Sequence, residues 1–180
     1  SNATDEERAK ARSNKSPSDT LKHGLGDGGD VDLLFAALAN ASGLDARIVL
    51  APDRGDLFFD KSIPNDYFID PREIAVNVGG TWKFFSPGYN YIPFGMLRWG
   101  LEGEQALITD PKQPVWIDTP LSPPDKSKIR RVGKLKLMED GTLEGDVRVE
   151  YTGHFAIDRK EDMDEQSETE REQGLKDELK

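Results

Sequence analysis

Apolar positions in this chain fall into three kinds of run, and each predicts a different element. Residues 31–41 read VDLLFAALANA, so apolar side chains cover nearly the whole circumference of a helix, the pattern expected of a helix buried on several sides. Asp30 is suited to cap its start, Asp32 lies where the helix dipole favours a carboxylate, and Gly43 is placed to end it in the left-handed conformation. The second kind of run alternates. Ile74, Val76 and Val78 are spaced by polar or small residues, Gly79-Gly80 supplies a two-residue turn, and Trp82 with Phe84 continues the alternation on a return strand. Residues 46–51 (ARIVLA) read as a β-branched strand, and 106–109 and 115–118 as shorter ones. Residues 133–138 and 142–151 form a second hairpin around Glu139-Asp140-Gly141. The third kind is aromatic but irregular: 52–71, with Phe58, Phe59, Tyr67 and Phe68, is expected to fold over the core, and 89–103 to pack against the sheet.

Between these runs the chain is punctuated by polar and proline-rich stretches that set its organisation. Residues 4–12 have helical composition with few apolar positions, and Pro17 ends that arm. Pro120, Pro123 and Pro124 mark an extended linker. The closing stretch, 167–180, carries a capping pattern at Ser167 and Glu170. The reading is therefore an α+β protein in four parts: a tag remnant and helical arm over 1–15, a core over 16–118, a linker over 119–132, and a C-terminal segment over 133–180. One hairpin and one helix bury too little area to stand alone, so this last segment is expected to be the start of a truncated β-rich domain.

Composition narrows the partners. Apolar residues make up 36% of the chain and charged residues 32%, with a formal charge of −10, which argues against nucleic acid and against an anionic membrane surface. The basic run 126–136 reads as a solvated linker. With no cysteine, disulfides and thiol catalysis are excluded. No apolar run approaches the ~18 residues a membrane span requires.

Candidate chemistry concentrates in the turn before the helix. Residues 24–29 formally match the G-x-G-x-x-G dinucleotide fingerprint, but no strand precedes them, and Asp27, Asp30 and Asp32 place carboxylates where a pyrophosphate would sit; no cofactor is expected. The same three aspartates are candidate oxygen ligands for calcium or magnesium, although a helix start recruits aspartates for capping alone. His23 and His154 stand apart in sequence and read as ordinary turn or surface residues.

Three stretches, SPSDTLKHGLGDGGDVDLLFAALANASGLDARIVL, REIAVNVGGTWKFFSPG and YIPFGMLRWGLEGEQALI, together resemble the transglutaminase-like family of papain-type folds, over about residues 16–109. The segment MEDGTLEGDVRVEYTG looks like the start of the β domain that flanks such cores in bacterial members. The resemblance implies a central helix packed on an antiparallel sheet, with a cysteine at the helix start, a histidine opening the first hairpin strand and an aspartate ending the second. A helix N-terminus stabilises the thiolate, the histidine acts as base, and the aspartate orients it. Here Gly28 stands at the cysteine position, Arg72 or, one residue displaced, Pro71 at the histidine position, and Ser86 at the aspartate position. Glycine has no nucleophile and a guanidinium stays protonated. The resemblance thus implies an inactive member acting as a structural or binding module beside neighbouring domains of a longer protein, exported to the periplasm or cell exterior. Its groove candidates are Asp27, Gly28, Arg72, Trp82 and Ser86, for an extended peptide or glycan. The rival expectation is rewired chemistry: a metal-assisted hydrolase using Asp27, Asp30 and Asp32, or residual transglutaminase-like activity.

Overall fold

The computed structural model describes residues 4–11, 13–63 and 65–178, with the side chains of residues 11 and 72 outside that description. The chain divides into two compact units, Ser1–Ser122 and Pro123–Lys180. In the first, α1 (Asp5–Ala11), α2 (Pro17–His23) and α3 (Gly28–Ala41) precede β1 (Asp45–Ala51), β2 (Asp70–Val78), β3 (Thr81–Phe85), β4 (Gln105–Ile108) and β5 (Val115–Asp118). The second contains β6 (Ile129–Leu137), β7 (Leu143–Tyr151), α4 (His154–Met163) and α5 (Glu168–Asp177). The fold class is α+β.

The first unit is built on a five-stranded sheet of order β3-β2-β1-β4-β5, in which every neighbouring pair is antiparallel. Strand alternation sends side chains to two faces, and each face meets a different cover. Ala46, Ile74 and Val76 pack with Ala36, Phe35 and Ala39 of α3. Val49, Ala51, Ala75 and Phe84 form the other core with Leu97 and Leu101, so the irregular stretch 89–103 does lie against the sheet. At Val49/Leu50 the register shifts: Val49 faces Glu73 and Leu50 faces Pro71, leaving Arg72 as the extra residue of a β-bulge. A proline beside a bulge costs no ladder bond, which is why Pro71 is tolerated inside β2.

The central helix starts at Gly28, three residues before the expected Val31, because Asp27 and Asp30 form a reciprocal capping box that makes Asp27 the N-cap. Gly43 follows the helix with φ 86°, as its position predicts. The helix is not buried on several sides: Leu33 and Leu38 are exposed, since a sheet offers a helix only one face. In the long connection between β1 and β2, Phe59 is buried and stacks on Trp116 with ring centroids 5.9 Å apart, whereas Phe58 is 95% exposed and Tyr67 80% exposed, so only part of that segment folds over the core.

In the second unit the basic run proves to be structured over most of its length, since β6 begins at Ile129 rather than at Gly133. The 9-residue strands pair from Ile129↔Tyr151 to Leu137↔Leu143. Three of the four basic residues of β6 stand opposite acidic residues of β7, Arg130↔Glu150, Lys134↔Asp146 and Lys136↔Glu144, while Arg131 faces Val149. Helix α4 was not anticipated; its polar composition hides a single buried residue, Ile157. Arg159 links it to Glu178, just past α5, at 2.7 Å. Ser167 and Glu170 form the expected capping box at the start of α5.

Candidate functional site

The start of α3 meets the open end of the β2–β3 hairpin, and most of the residues singled out from sequence come together there. Asp27 accepts a hydrogen bond from Asp30 N–H at 2.9 Å, and Asp30 accepts from Asp27 N–H at 3.2 Å. Asn14 Nδ2 also donates to Asp30, at 2.9 Å, and Asn14 Oδ1 lies 2.8 Å from His23 Nδ1, so the turn is braced by the connection before α2, itself tied to that helix's last residue. One turn into α3, Asp32 Oδ1 accepts from Gly88 N–H at 2.8 Å. The approach is close enough that a Cβ on Gly28 would stand 2.9 Å from Gly88 O, and one on Gly88 would collide with the Gly28 carbonyl. Glycine at both positions is what lets helix and hairpin touch.

Behind this contact lies a buried polar pair that sequence reading missed. Ser86 Oγ–H donates a short hydrogen bond to Glu73 Oε2, and Glu73 is only 1% exposed. Its Oε1 is buried without a hydrogen-bond partner among the described residues. Burial pushes the Glu73 carboxyl up to about 8; the Ser86 hydrogen bond opposes this, Asp32 reinforces it, and Arg98 opposes it. Glu73 therefore carries a proton at neutral pH. Asp32 is also raised, first by burial, against the hydrogen bond from Gly88. A neutral acid against a hydroxyl is the inexpensive way to bury two such groups, because an ionised carboxylate there would lack compensating donors.

The signal for Glu73 was present in the alternation. Ile74 and Val76 share one face, so Glu73 falls on the opposite, equally buried face with Ala75, and the hairpin register carries it opposite Ser86. The sequence reading assigned Arg72 to this end of the strand. Arg72 does sit next to Glu73, at the bulge, with its side chain outside the described residues.

Trp82 is not brought to this junction. It pairs with Asn77 toward the turn end of the hairpin, four residues or about 13 Å along the strand from Ser86. Its neighbour is Arg47, whose guanidinium lies 5.3 Å from the ring centroid. The three aspartates do not assemble as a metal site either. Asp27 and Asp30 are engaged in capping and Asp32 in holding Gly88; among the described residues no group of three or more His, Asp or Glu side chains is arranged to take a metal ion.

The junction as a whole is closed rather than open. Ser86 Oγ is buried and hydrogen-bonded to Glu73, and Gly88 fills the space against Gly28. No helix among the described residues is long and apolar enough to cross a membrane. Compared with known proteins, the chain matches no family model, no curated protein and no solved structure.

Proposed function

We propose that residues 16–118 form a catalytically inactive transglutaminase-like core, serving as a structural or peptide-binding module within a longer bacterial protein. The observation that carries this reading is the contact between Gly28 and Gly88. A thiol-dependent acyl transferase needs a side-chain nucleophile at the helix start, with room for substrate above it. At Gly28 there is no side chain, and the space a Cβ would occupy is shared with Gly88 O at 2.9 Å. The two hairpin positions that would hold base and orienter have been replaced by a bulge at Arg72 and by Ser86, whose hydroxyl is engaged with Glu73. The helix and hairpin frame persists because it is the core of the unit, independent of any chemistry on it.

The test is turnover. The purified chain is incubated with a glutamine-containing peptide and a primary amine, and both amine incorporation and amide hydrolysis are followed by mass spectrometry. No product above the rate without protein is expected. Product formation that disappears in Ser86→Ala or Glu73→Gln would overturn the reading.

A further inference from the structure

Away from that junction, the connection after β1 and the residues leading into β4 flank a half-open cavity of about 430 Å³, lined among others by Arg54, Asp56, Leu57, Phe58, Glu104 and Gln105. Both walls are held by backbone bonds. Arg54 N–H donates to Gly100 O at 2.9 Å, and Leu57 N–H donates to Asp53 O at 3.2 Å. On the other side Gly103 N–H donates to Thr119 O at 3.2 Å, and Glu104 N–H to Thr119 Oγ1 at 2.9 Å. The volume lies within the range typical of small-molecule sites, about 300–1,000 Å³.

The polar groups in this cavity are incompletely matched. The Arg54 guanidinium lies over the Trp99 ring, 4.3 Å from its centroid, and its buried Nε has no hydrogen-bond partner among the described residues. Among the described residues no carboxylate lies within ion-pairing distance of it. Glu104 lines the same cavity, and its carboxylate makes no hydrogen bond among the described residues. Burial raises the Glu104 carboxyl, the Arg54 charge lowers it and Asp53 raises it, so the cation and the anion sense each other without touching.

The charge pattern selects the ligand. A simple anion such as phosphate would meet Asp56 and Glu104 along with Arg54, and a simple cation would leave Arg54 unpaired. A molecule with both charges satisfies both sides. Beside them Leu57 and the 95% exposed ring of Phe58 offer an apolar wall. We propose that this cavity binds a small zwitterion of the α-amino-acid class, its carboxylate on the Arg54 fork, its ammonium on Glu104 and its apolar side chain against Leu57 and Phe58. A planar guanidinium takes a carboxylate through two parallel hydrogen bonds, which a lysine ammonium does not reproduce.

The test uses the full chain, labelled with ¹⁵N and titrated with L-phenylalanine and L-leucine while amide shifts are recorded. Saturable shifts at Gly55, Gly103 and Gln105 are expected, with a dissociation constant of about 1 mM. N-acetyl-L-phenylalanine and L-phenylalaninamide each lose one charge and should bind on the order of tenfold more weakly. Arg54→Lys, which keeps the charge but loses the fork, and Glu104→Gln should weaken binding similarly while the rest of the amide spectrum stays in place. An absence of saturable shifts with either amino acid, shifts confined to other residues, or equal binding of either blocked compound would each overturn the proposal. None of these results bears on turnover at the Gly28 junction, so the two readings fail separately.

Discussion

The hairpin of β2 and β3 turns on Gly79 and Gly80, at φ 61° and 84°, and the hairpin of β6 and β7 turns through 138–142, with Gly141 at φ 87°. Both satisfy the backbone demands of tight turns in the same way, with glycine supplying the positive φ. Both carry alternating strands. Yet Ile74, Ala75 and Val76 are buried, while every residue of β6 is exposed. The first hairpin has α3 on one face and the stretch 89–103 on the other. The second forms a two-stranded sheet of its own, and its charged positions lie in the open, with Arg148 and Glu150 paired at 2.6 Å. Turn chemistry and alternation decide that a hairpin exists; the layers around it decide how much energy it stores.

The largest expected effect tests that contrast directly. Ile74→Ala should cost about 2–5 kcal/mol, because it opens a cavity under α3. Leu137→Ala, in the exposed hairpin, should change stability by no more than ~0.5 kcal/mol. Urea denaturation of the two variants checks both, and similar losses would break the distinction between a covered and an uncovered hairpin.

The next effect is a pH dependence stored in the covered hairpin. Glu73 has its folded-state pKa raised from 4.5 to about 8. Below 4.5 both folded and unfolded states hold the proton, and the contribution to stability is complete. As pH rises toward about 8 the unfolded state has released its proton while the folded state retains it, so stability falls, at up to about 1.4 kcal/mol per pH unit. Denaturation midpoints across that window should decline with pH, and Glu73→Gln should flatten this part of the profile. An unchanged slope in the variant would place the titration elsewhere.

A smaller loss is expected where α3 meets the hairpin. Gly28→Ala places a methyl group 2.9 Å from Gly88 O and should cost about 1–3 kcal/mol, read from the same denaturation curves. The smallest effect separates the units by mechanism. Ser167→Ala removes the α5 cap, worth about 1 kcal/mol, but α5 has no buried residues. Amide exchange should therefore accelerate over α5, with little change in the first unit.

The helix caps, turns and strand positions were legible because they rest on local rules. Gly79-Gly80, Ser167 with Glu170, and the strand at 46–51 each follow from a few neighbouring residues. The start of α3 was misplaced because Gly28 and Gly29 are poor helix formers, while the Asp27–Asp30 capping box that overrides them can also be read as a later cap at Asp30. Helix α4 escaped notice because one buried residue, Ile157, leaves no periodic signal in a polar stretch. At the site, Gly28 meets Gly88 and Ser86 is bonded to Glu73, neither of which a local pattern announces, whereas Trp82 lies with Arg47 toward the turn end of the hairpin.

From the sequence alone came the α+β class, both hairpins, the central helix and the absence of any thiol chemistry, because backbone propensity and residue identity act over a few positions at a time. Tertiary structure alone decided that Glu73 is buried and protonated against Ser86, that Gly28 and Gly88 close over each other, and that Arg54 and Glu104 line one cavity. Those properties depend on the dielectric surroundings and on the approach of groups as many as 60 residues apart in the chain (Gly28 and Gly88), which no local pattern encodes.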